Sequence, residues 1–286
     1  MATDRVLVLL LVLPMTAAAQ ESILLRYHPV RGSQAHVVSE TRIEALVNGL
    51  PSLPDSTVIG ADWRTVVTRR ALRVGANGAS MSATLDSSRA RAKAGDAVRG
   101  DVALPGARGL AAQYQLSERL QPTTITLTPG ADSGLVAVLL SEFGGFDFPL
   151  PQAATIRRAT WTAPLRFPLG AYLSATGKVT SSGLATGSGT ATLDSLVPRG
   201  ADTLAYITLQ GVIGPATLNV TAEGGTGSGY FSGQVAAALV WSTGWNAVVS
   251  AVSKAVVDGR IGIQRPEGQV NGVLSLTITG RHQFRL

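Results

Sequence analysis

The three histidines are the side chains best suited to acid–base or metal chemistry in this chain. His28 and His36 flank Pro29–Gly32, and a hairpin turn there would bring the two imidazoles together on paired strands. A simpler interpretation is that both are hydrogen-bonded at a strand edge, and we favour it because no acidic third ligand lies nearby in the sequence. His282 falls on the apolar face of the last strand, which predicts a half-buried histidine or one that lines a cavity. We therefore expect no metal site.

The carboxylates are few and dispersed. Glu40 and Glu44 are evenly spaced and would face the same side of one strand, and glycosidases use a carboxylate pair about 5–10 Å apart. Strand residues four positions apart lie about 13 Å apart, which is too far for that chemistry. Arg42 lies between them on the same face, so the three side chains indicate a solvated face.

Sequence motifs for nucleophilic catalysis and phosphate binding are absent. The chain contains no GxGxxG, GxxxxGK[ST], GxSxG, HExxH or SxxK pattern. It also contains no cysteine, which excludes disulfides, thiolate metal sites and a cysteine nucleophile. We expect no catalytic residues, no cofactor and no enzyme.

The elements that carry these residues are predicted to be strands. In Val273–Leu286 apolar and polar residues alternate throughout, so one face of the strand is buried and the other is solvated. Ala205–Ile213 and Phe231–Trp241 repeat this pattern, and Trp245–Val257 favours a strand over a helix. Strands of such length are typical of curved sheets and barrels. Hairpins or turns are predicted at four Gly-rich or Pro-containing sites: Pro29–Gly32, Gly75–Gly78, Gly183–Gly189 and Gly224–Gly229.

One helix is predicted, from Ser133 as its N-cap to Phe143, where two glycines stop it. Its apolar residues recur at helical spacing and lie on one face. Further along, Arg157–Gly170 contains Pro164 and Pro168, which cannot donate ladder hydrogen bonds. This stretch therefore predicts an edge or bulged strand, whose Trp161 and Phe167 pack against the sheet. The fold class that follows is mainly β: a curved antiparallel sheet that forms a half-open barrel with one packed helix.

The first residues predict export. A ten-residue apolar run, Val6–Met15, is too short to span a bilayer and precedes the small residues Ala17–Ala19. We expect a signal peptide at residues 1–19, a single β-rich domain at 20–286, and a periplasmic or extracellular protein. The net charge is +6, but only 15% of the residues are charged and the arginines are scattered, so no nucleic-acid partner is expected.

Four short segments resemble bacterial exported proteins of the outer-membrane lipoprotein-carrier type. They are Leu25–Gly32, Thr84–Ser87, Leu104–Gly106 and Thr160–Leu165, the last of which leads into a Gly-rich meander. The resemblance implies a strongly curved sheet wrapped around a helix, with an apolar concave face that can hold an acyl chain. It implies no particular site residue.

Three functional interpretations remain open at this point. The one we favour is a non-catalytic binding protein whose apolar concave face takes a lipid or another hydrophobic small molecule, with peripheral contact to the envelope membrane. The large apolar groups nearest the expected opening are the predicted ligand-binding residues: Leu135, Leu139, Phe143, Trp161 and Phe167. The alternatives are an integral outer-membrane β-barrel, for which the chain has few aromatic residues, and a hydrolase with His28 or His282 as its base. The sequence predicts no oligomeric state.

Overall fold

The structure, a computed structural model, describes residues 22–51, 57–94, 97–102, 107, 109–131, 133–141, 146–222 and 224–285. The predicted signal peptide, residues 1–19, lies outside the described residues. The first seven strands are β1 (Ser22–Ile23), β2 (Gln34–Asn48), β3 (Thr57–Gly75), β4 (Gly78–Ala94), β5 (Ala97–Val102), β6 (Ala111–Ser117) and β7 (Pro122–Leu127). The middle of the chain forms α1 (Ser133–Leu140), β8 (Thr155–Ile156), β9 (Thr160–Phe167), α2 (Leu169–Ala175) and β10 (Thr180–Ser181). The remaining strands are β11 (Ala185–Arg199), β12 (Asp202–Ala222), β13 (Gly225–Ser242), β14 (Ala247–Arg265) and β15 (Gly268–Arg285).

One large antiparallel sheet dominates the fold, in the order β7-β6-β4-β3-β2-β15-β14-β13-β12-β11-β9. Strand β5 adds to β4, β10 adds to β12, and β1 pairs separately with β8. Among the described residues the edge strands β7 and β9 do not pair with each other, so the sheet is not closed. The predicted mainly-β, curved antiparallel architecture is confirmed. The described residues contain two helices, one more than was predicted. Neither of these helices is long and apolar enough to cross a membrane.

The alternation predicted for the last strand is present in β15. Leu274, Leu276 and Ile278 are at most 3% exposed, whereas Ser275 and Thr279 between and beside them are exposed. We call the side of the sheet that carries Leu274, Leu276 and Ile278 the inner face, and the side that carries Ser275 and Thr279 the outer face. The helices α1 and α2 contact each other, α1 also contacts β4, and α2 contacts β3 and β4. The buried core therefore lies between the inner face and the two helices.

The predicted hairpin at Pro29–Gly32 is wrong. Strand β2 is already paired with β3 on one side and β15 on the other, so the preceding chain has no free edge to join. That chain instead crosses the end of the sheet, where the backbone N–H of Tyr27 donates to Glu118 O at 2.8 Å and that of Gly32 donates to Ala71 O at 2.8 Å.

Two Gly-rich segments predicted as loops are mostly strand. Residues 225–229 belong to β13, and residues 185–189 belong to β11. A Cβ on Gly227 would lie 1.8 Å from the carbonyl oxygen of Gly262 in the neighbouring strand, so the glycine permits close strand approach inside a curved sheet. The hairpin at Gly75–Gly78 is confirmed, and Gly78 has a φ of +136° that L side chains rarely adopt.

The Pro-containing stretch forms an edge strand, as predicted. Among the described strands β9 pairs only with β11, and Pro164 lies opposite Ser188 in that pair. Pro168 directly precedes α2, a helix that the sequence analysis did not predict. Helix α1 begins at Ser133 as expected and extends to Leu140 in the structure. Its predicted end at Phe143 lies outside the described residues.

Candidate ligand-binding site

The residues proposed from the sequence to hold a ligand belong to the packed core. Leu135, Leu139 and Phe167 are 5%, 0% and 3% exposed. Trp161 is partly buried, and its indole N–H donates to Pro149 O at 3.0 Å. Phe143 lies outside the described residues. The structure therefore places the four described residues in or against one interior.

The protein's own side chains occupy the space beside these residues. The ring of Tyr172, on α2, lies 5.2 Å from that of Phe167 and 5.8 Å from that of Trp63 on the inner face. The ring of Phe148 lies 6.2 Å from that of Trp161. The sequence-based prediction lacked α2, so it left uncovered a part of the concave face that Tyr172 and its helix fill in the structure. A ligand beside these rings would have to displace them.

An open apolar pocket lies elsewhere, at the end of the sheet where β2 begins. Its volume is about 210 Å³. The chain entering β2, the inner face and the turn between β13 and β14 converge on it. Its walls include four large apolar side chains that are each at most 9% exposed: Tyr27, Val37, Met81 and Phe284. We call this cavity the end pocket.

Two large apolar side chains stand at the end pocket with most of their surface in solvent. Val30 is 76% exposed and Trp245 is 58% exposed, the two highest values among the exposed large apolar residues of the described chain. Exposed apolar groups that adjoin an apolar cavity are typical of a binding surface. The cavity is smaller than the usual small-molecule pocket of about 300–1,000 Å³. It can therefore enclose part of an apolar ligand rather than a whole lipid.

The turn that carries Trp245 is held by Asp202. This carboxylate accepts hydrogen bonds from Ser242 Oγ at 2.5 Å and from the backbone N–H of Gly244 at 2.6 Å. The hydrogen bond from Ser242 is the main cause that lowers the pKa of Asp202 below its ordinary value. The backbone N–H of Trp245 in turn donates to Ser242 Oγ at 3.1 Å. The exposed indole is therefore carried on an ordered turn.

Arg69 lines the end pocket and is itself only 3% exposed. Its guanidinium donates to the carbonyl oxygen of Leu139 at 3.1 Å and to that of Ser141. These carbonyls lie at the C-terminal end of α1, where a cation also interacts favourably with the helix dipole. Arg69 therefore fastens α1 to strand β3 and at the same time lines part of the pocket.

A second, polar cavity shares Val37 and Arg69 with the end pocket. Its volume of about 10 Å³ is close to the minimum that holds one water molecule. His282 lines it, is 2% exposed, and has its Nδ1 2.8 Å from Ser39 Oγ. Among the described residues its Nε2 has no hydrogen-bond partner. Burial, with a smaller contribution from Arg69, lowers the pKa of His282 to about 4, so the imidazole is neutral at pH 7.

The structure does not place His28 and His36 on paired strands. His28 Nε2 lies 3.9 Å from Glu118 Oε2, whereas His36 Nδ1 lies 2.9 Å from Thr68 Oγ1. His36 is thus hydrogen-bonded and exposed, the simpler of the two interpretations. Within the described ranges no group of three or more His, Asp or Glu side chains could hold a metal ion.

The residues of the end pocket were not predicted from the sequence. Tyr27, Met81, Trp245 and Phe284 come from four distant parts of the chain and share no local pattern. One usable signal was Trp245 itself, because a large apolar residue in a Gly-Trp-Asn turn between two strands has no core to enter. In comparisons with known proteins, no family model, no curated protein and no solved structure matches the chain.

Proposed function

We propose that this protein is an exported, non-catalytic binding protein that takes the apolar chain of a lipid, or another hydrophobic small molecule, into the end pocket. The observation that carries the proposal is the pairing of an open apolar pocket with Trp245, which is 58% exposed. Covering an indole of this kind removes a large apolar area from water, at about 25 cal/mol for each Å². A bound apolar ligand would shield the Trp245 side chain from water, which the protein's own residues do not do.

The end pocket suits an acyl chain because most of its wall is apolar and offers dispersion contacts, beside the polar side chains of His28, Arg69 and Asn246. Val37, Met81 and Phe284 are almost fully buried in the protein, so their packing is already fixed. A preformed cavity spares the ligand the cost of opening one. The ligand's remaining length and its head group would lie outside, next to Val30 and Trp245.

The sequence-derived site enters this proposal as a deeper region. Leu135, Leu139, Trp161 and Phe167 lie in or against the core between the inner face and the helices. A longer chain would reach these residues only by displacing α1 or α2. We therefore propose the end pocket as the entry site and the helices as the barrier behind it.

Export is the second part of the proposal, and it rests on the sequence. The supporting features are the apolar run Val6–Met15 and the small residues Ala17–Ala19 that follow it. The resemblance to lipoprotein-carrier-type proteins points to the same compartment. N-terminal sequencing of the mature protein tests this part by itself, since a chain that begins at Gln20 supports export and one that retains Met1 contradicts it.

Binding of a fluorescent fatty acid to the purified protein tests the first part. We expect micromolar affinity and a change in the emission of Trp245 on binding. Ala35 lines the end pocket, and Ala35→Trp should fill it and weaken binding at least tenfold, about 1.4 kcal/mol. Ala236 lies on the exposed outer face, so Ala236→Trp is the matched control and should bind normally. Equal affinity in the two variants, or no binding by the native chain, would refute the proposal.

A further inference from the structure

The outer face of the sheet carries a groove that is independent of the end pocket. It crosses β15, β2, β3 and β4, has an open volume of about 610 Å³, and shares no lining residue with the end pocket. Gly280 lines it through its backbone, because a Cβ there would point to the inner face, 2.5 Å from His282 Nε2. Five arginines line the groove: Arg42, Arg64, Arg89, Arg91 and Arg281.

Strand register gathers these arginines from distant parts of the chain. One row of directly paired residues runs across the four strands through Arg281, Glu40, Arg64 and Arg89. The next row on the same face runs through Thr279, Arg42, Asp62 and Arg91. Adjacent strands lie about 4.8 Å apart and successive same-face residues about 6.7 Å apart, so the guanidinium groups form a compact array.

Cations outnumber carboxylates in this array. The lining contains five arginines but only Glu40 and Asp62 as acidic residues. Asp101, just outside the lining, is shared between Arg89 at 3.2 Å and Arg91 at 3.5 Å. One carboxylate between two guanidinium groups leaves a net positive charge.

Three further carboxylates pair with cations of the array. Glu44 Oε1 accepts a hydrogen bond from Arg42 Nε at 3.0 Å, Asp62 forms an ion pair with Lys93, and Glu40 lies 3.7 Å from Arg64. With Asp101, four carboxylates therefore face five arginines and one lysine, and the net charge stays positive. Arg281 makes no ion pair or side-chain hydrogen bond among the described residues. Its guanidinium is therefore available to an anion from solution.

We propose that this groove binds the phosphate groups of a ligand that carries at least two of them. The planar guanidinium fork matches an oxyanion with two parallel hydrogen bonds, which favours phosphate or carboxylate over a halide. Phosphate carries more negative charge than a carboxylate, so an array of several guanidinium groups favours phosphate between the two. The side chains of Arg64, Arg89 and Arg91 are 58%, 62% and 52% exposed, so a ligand reaches them without opening the fold. The five arginines lie on β15, β2, β3 and β4, and each of these strands pairs with a neighbour on both sides, which fixes the backbone positions of the arginines. The rows are wide enough for two phosphates to bind on different strand pairs.

The probe is inorganic pyrophosphate, titrated calorimetrically into the full chain at low salt and again at 150 mM salt. Inorganic phosphate, which has one phosphate group, is the comparison. We expect pyrophosphate to bind more tightly than phosphate and the affinity to fall with salt. The double variant Arg89→Gln/Arg281→Gln should weaken binding at least tenfold without changing the melting temperature, because both side chains are exposed. The control Arg199→Gln/Arg260→Gln removes the same charge from exposed sites outside the groove and should bind as the native chain does.

Vesicles of cardiolipin, whose head group carries two phosphates, compared with phosphatidylcholine vesicles, distinguish a lipid head group from a soluble ligand as the source of the phosphates. If pyrophosphate binds and the groove variant also loses cardiolipin binding, the source is a lipid; if only pyrophosphate binds, it is a soluble compound. Three results would overturn the proposal. They are an absence of pyrophosphate binding, vesicle binding without pyrophosphate binding, and an equal loss in the groove and control variants, which would indicate net charge alone.

Discussion

His282 Nδ1 lies 2.8 Å from Ser39 Oγ, across the register pair that joins β15 to β2. A histidine and a serine at this distance are the residue types of a base and a nucleophile. The cavity beside them, at about 10 Å³, has room for no more than a water molecule, so a substrate could not reach the pair. We interpret the contact as the hydrogen bond that allows a neutral histidine to be buried.

The buried histidine should make the protein less stable in mild acid. The pKa of His282 is about 4 in the folded state, whereas a histidine ordinarily has a pKa of 6.5, so the unfolded chain binds the extra proton first as the pH falls. The contribution of neutral His282 to the free energy of unfolding is fully present above pH 6.5, declines as the pH falls, and is lost at about pH 4. The shift corresponds to about 3 kcal/mol. Urea unfolding at several pH values between 4 and 7 measures it.

The matched variants for this experiment are His282→Gln and His36→Gln. The first should flatten the dependence of the unfolding free energy on pH between 6.5 and 4, whatever it does to stability at pH 7. The second removes an exposed histidine and should leave the slope as it is. The same slope in the His282 variant as in the native chain would show that other groups cause the acid sensitivity.

The two faces of β15 should respond differently to truncation. Leu276 is 0% exposed on the inner face, so Leu276→Ala leaves a cavity and should cost about 2–4 kcal/mol of unfolding free energy. Thr277 is its neighbour on the outer face, and Thr277→Ala should cost well under about 1 kcal/mol. Denaturant melts of both variants give the comparison. Similar costs would mean that the inner and outer faces have been assigned wrongly.

We expect the hydrogen bonds of Arg69 to stabilise the attachment of α1 to β3. Arg69→Met keeps much of the side-chain length but leaves the carbonyl oxygens of Leu139 and Ser141 without this donor. We expect a loss of about 2–4 kcal/mol and faster amide exchange in α1. Its neighbour Arg70 is exposed on the outer face, and Arg70→Met is the control that should change neither quantity. Unchanged exchange in the Arg69 variant would contradict the anchoring role.

Close strand approach should make Gly227 intolerant of a side chain. A Cβ there would lie 1.8 Å from the carbonyl oxygen of Gly262, so Gly227→Ala forces the backbone to move and should cost about 1–3 kcal/mol. A Cβ on Gly262 meets only the ends of two side chains, at 3.4 Å, and Gly262→Ala should be nearly neutral. Thermal melts of the pair test this, and the opposite order of stability would contradict the strand geometry.

The sequence predicted what is encoded locally. Alternation in Val273–Leu286 is a property of one strand, and it correctly identified β15 and its two faces. Helix α2 was missed because Leu169, Tyr172 and Leu173 are all buried and the helix has no polar side, so its seven residues show no amphipathic period. Short apolar runs of this kind do not distinguish helix from strand.

The candidate sites could not be read from local patterns. The end pocket joins Tyr27, Trp245 and Phe284, and their proximity depends on how distant strands pair. The arginine array likewise depends on a register that places Arg281 opposite Glu40. A shift of one residue in that register would move one partner to the other face. Such positions are set by the whole sheet, not by any one segment.

Strand β15 comes last along the described chain but pairs with β2 on one side and β14 on the other. Before Gly268–Arg285 takes its place, two half-sheets each present a long strand with unpaired backbone groups. Joining them requires contacts between opposite ends of the chain, which are slow to form. Any stage at which β15 is not yet paired with β2 therefore leaves both strands with an open edge. A holding chaperone that binds extended strands would be of most use to the protein at that stage.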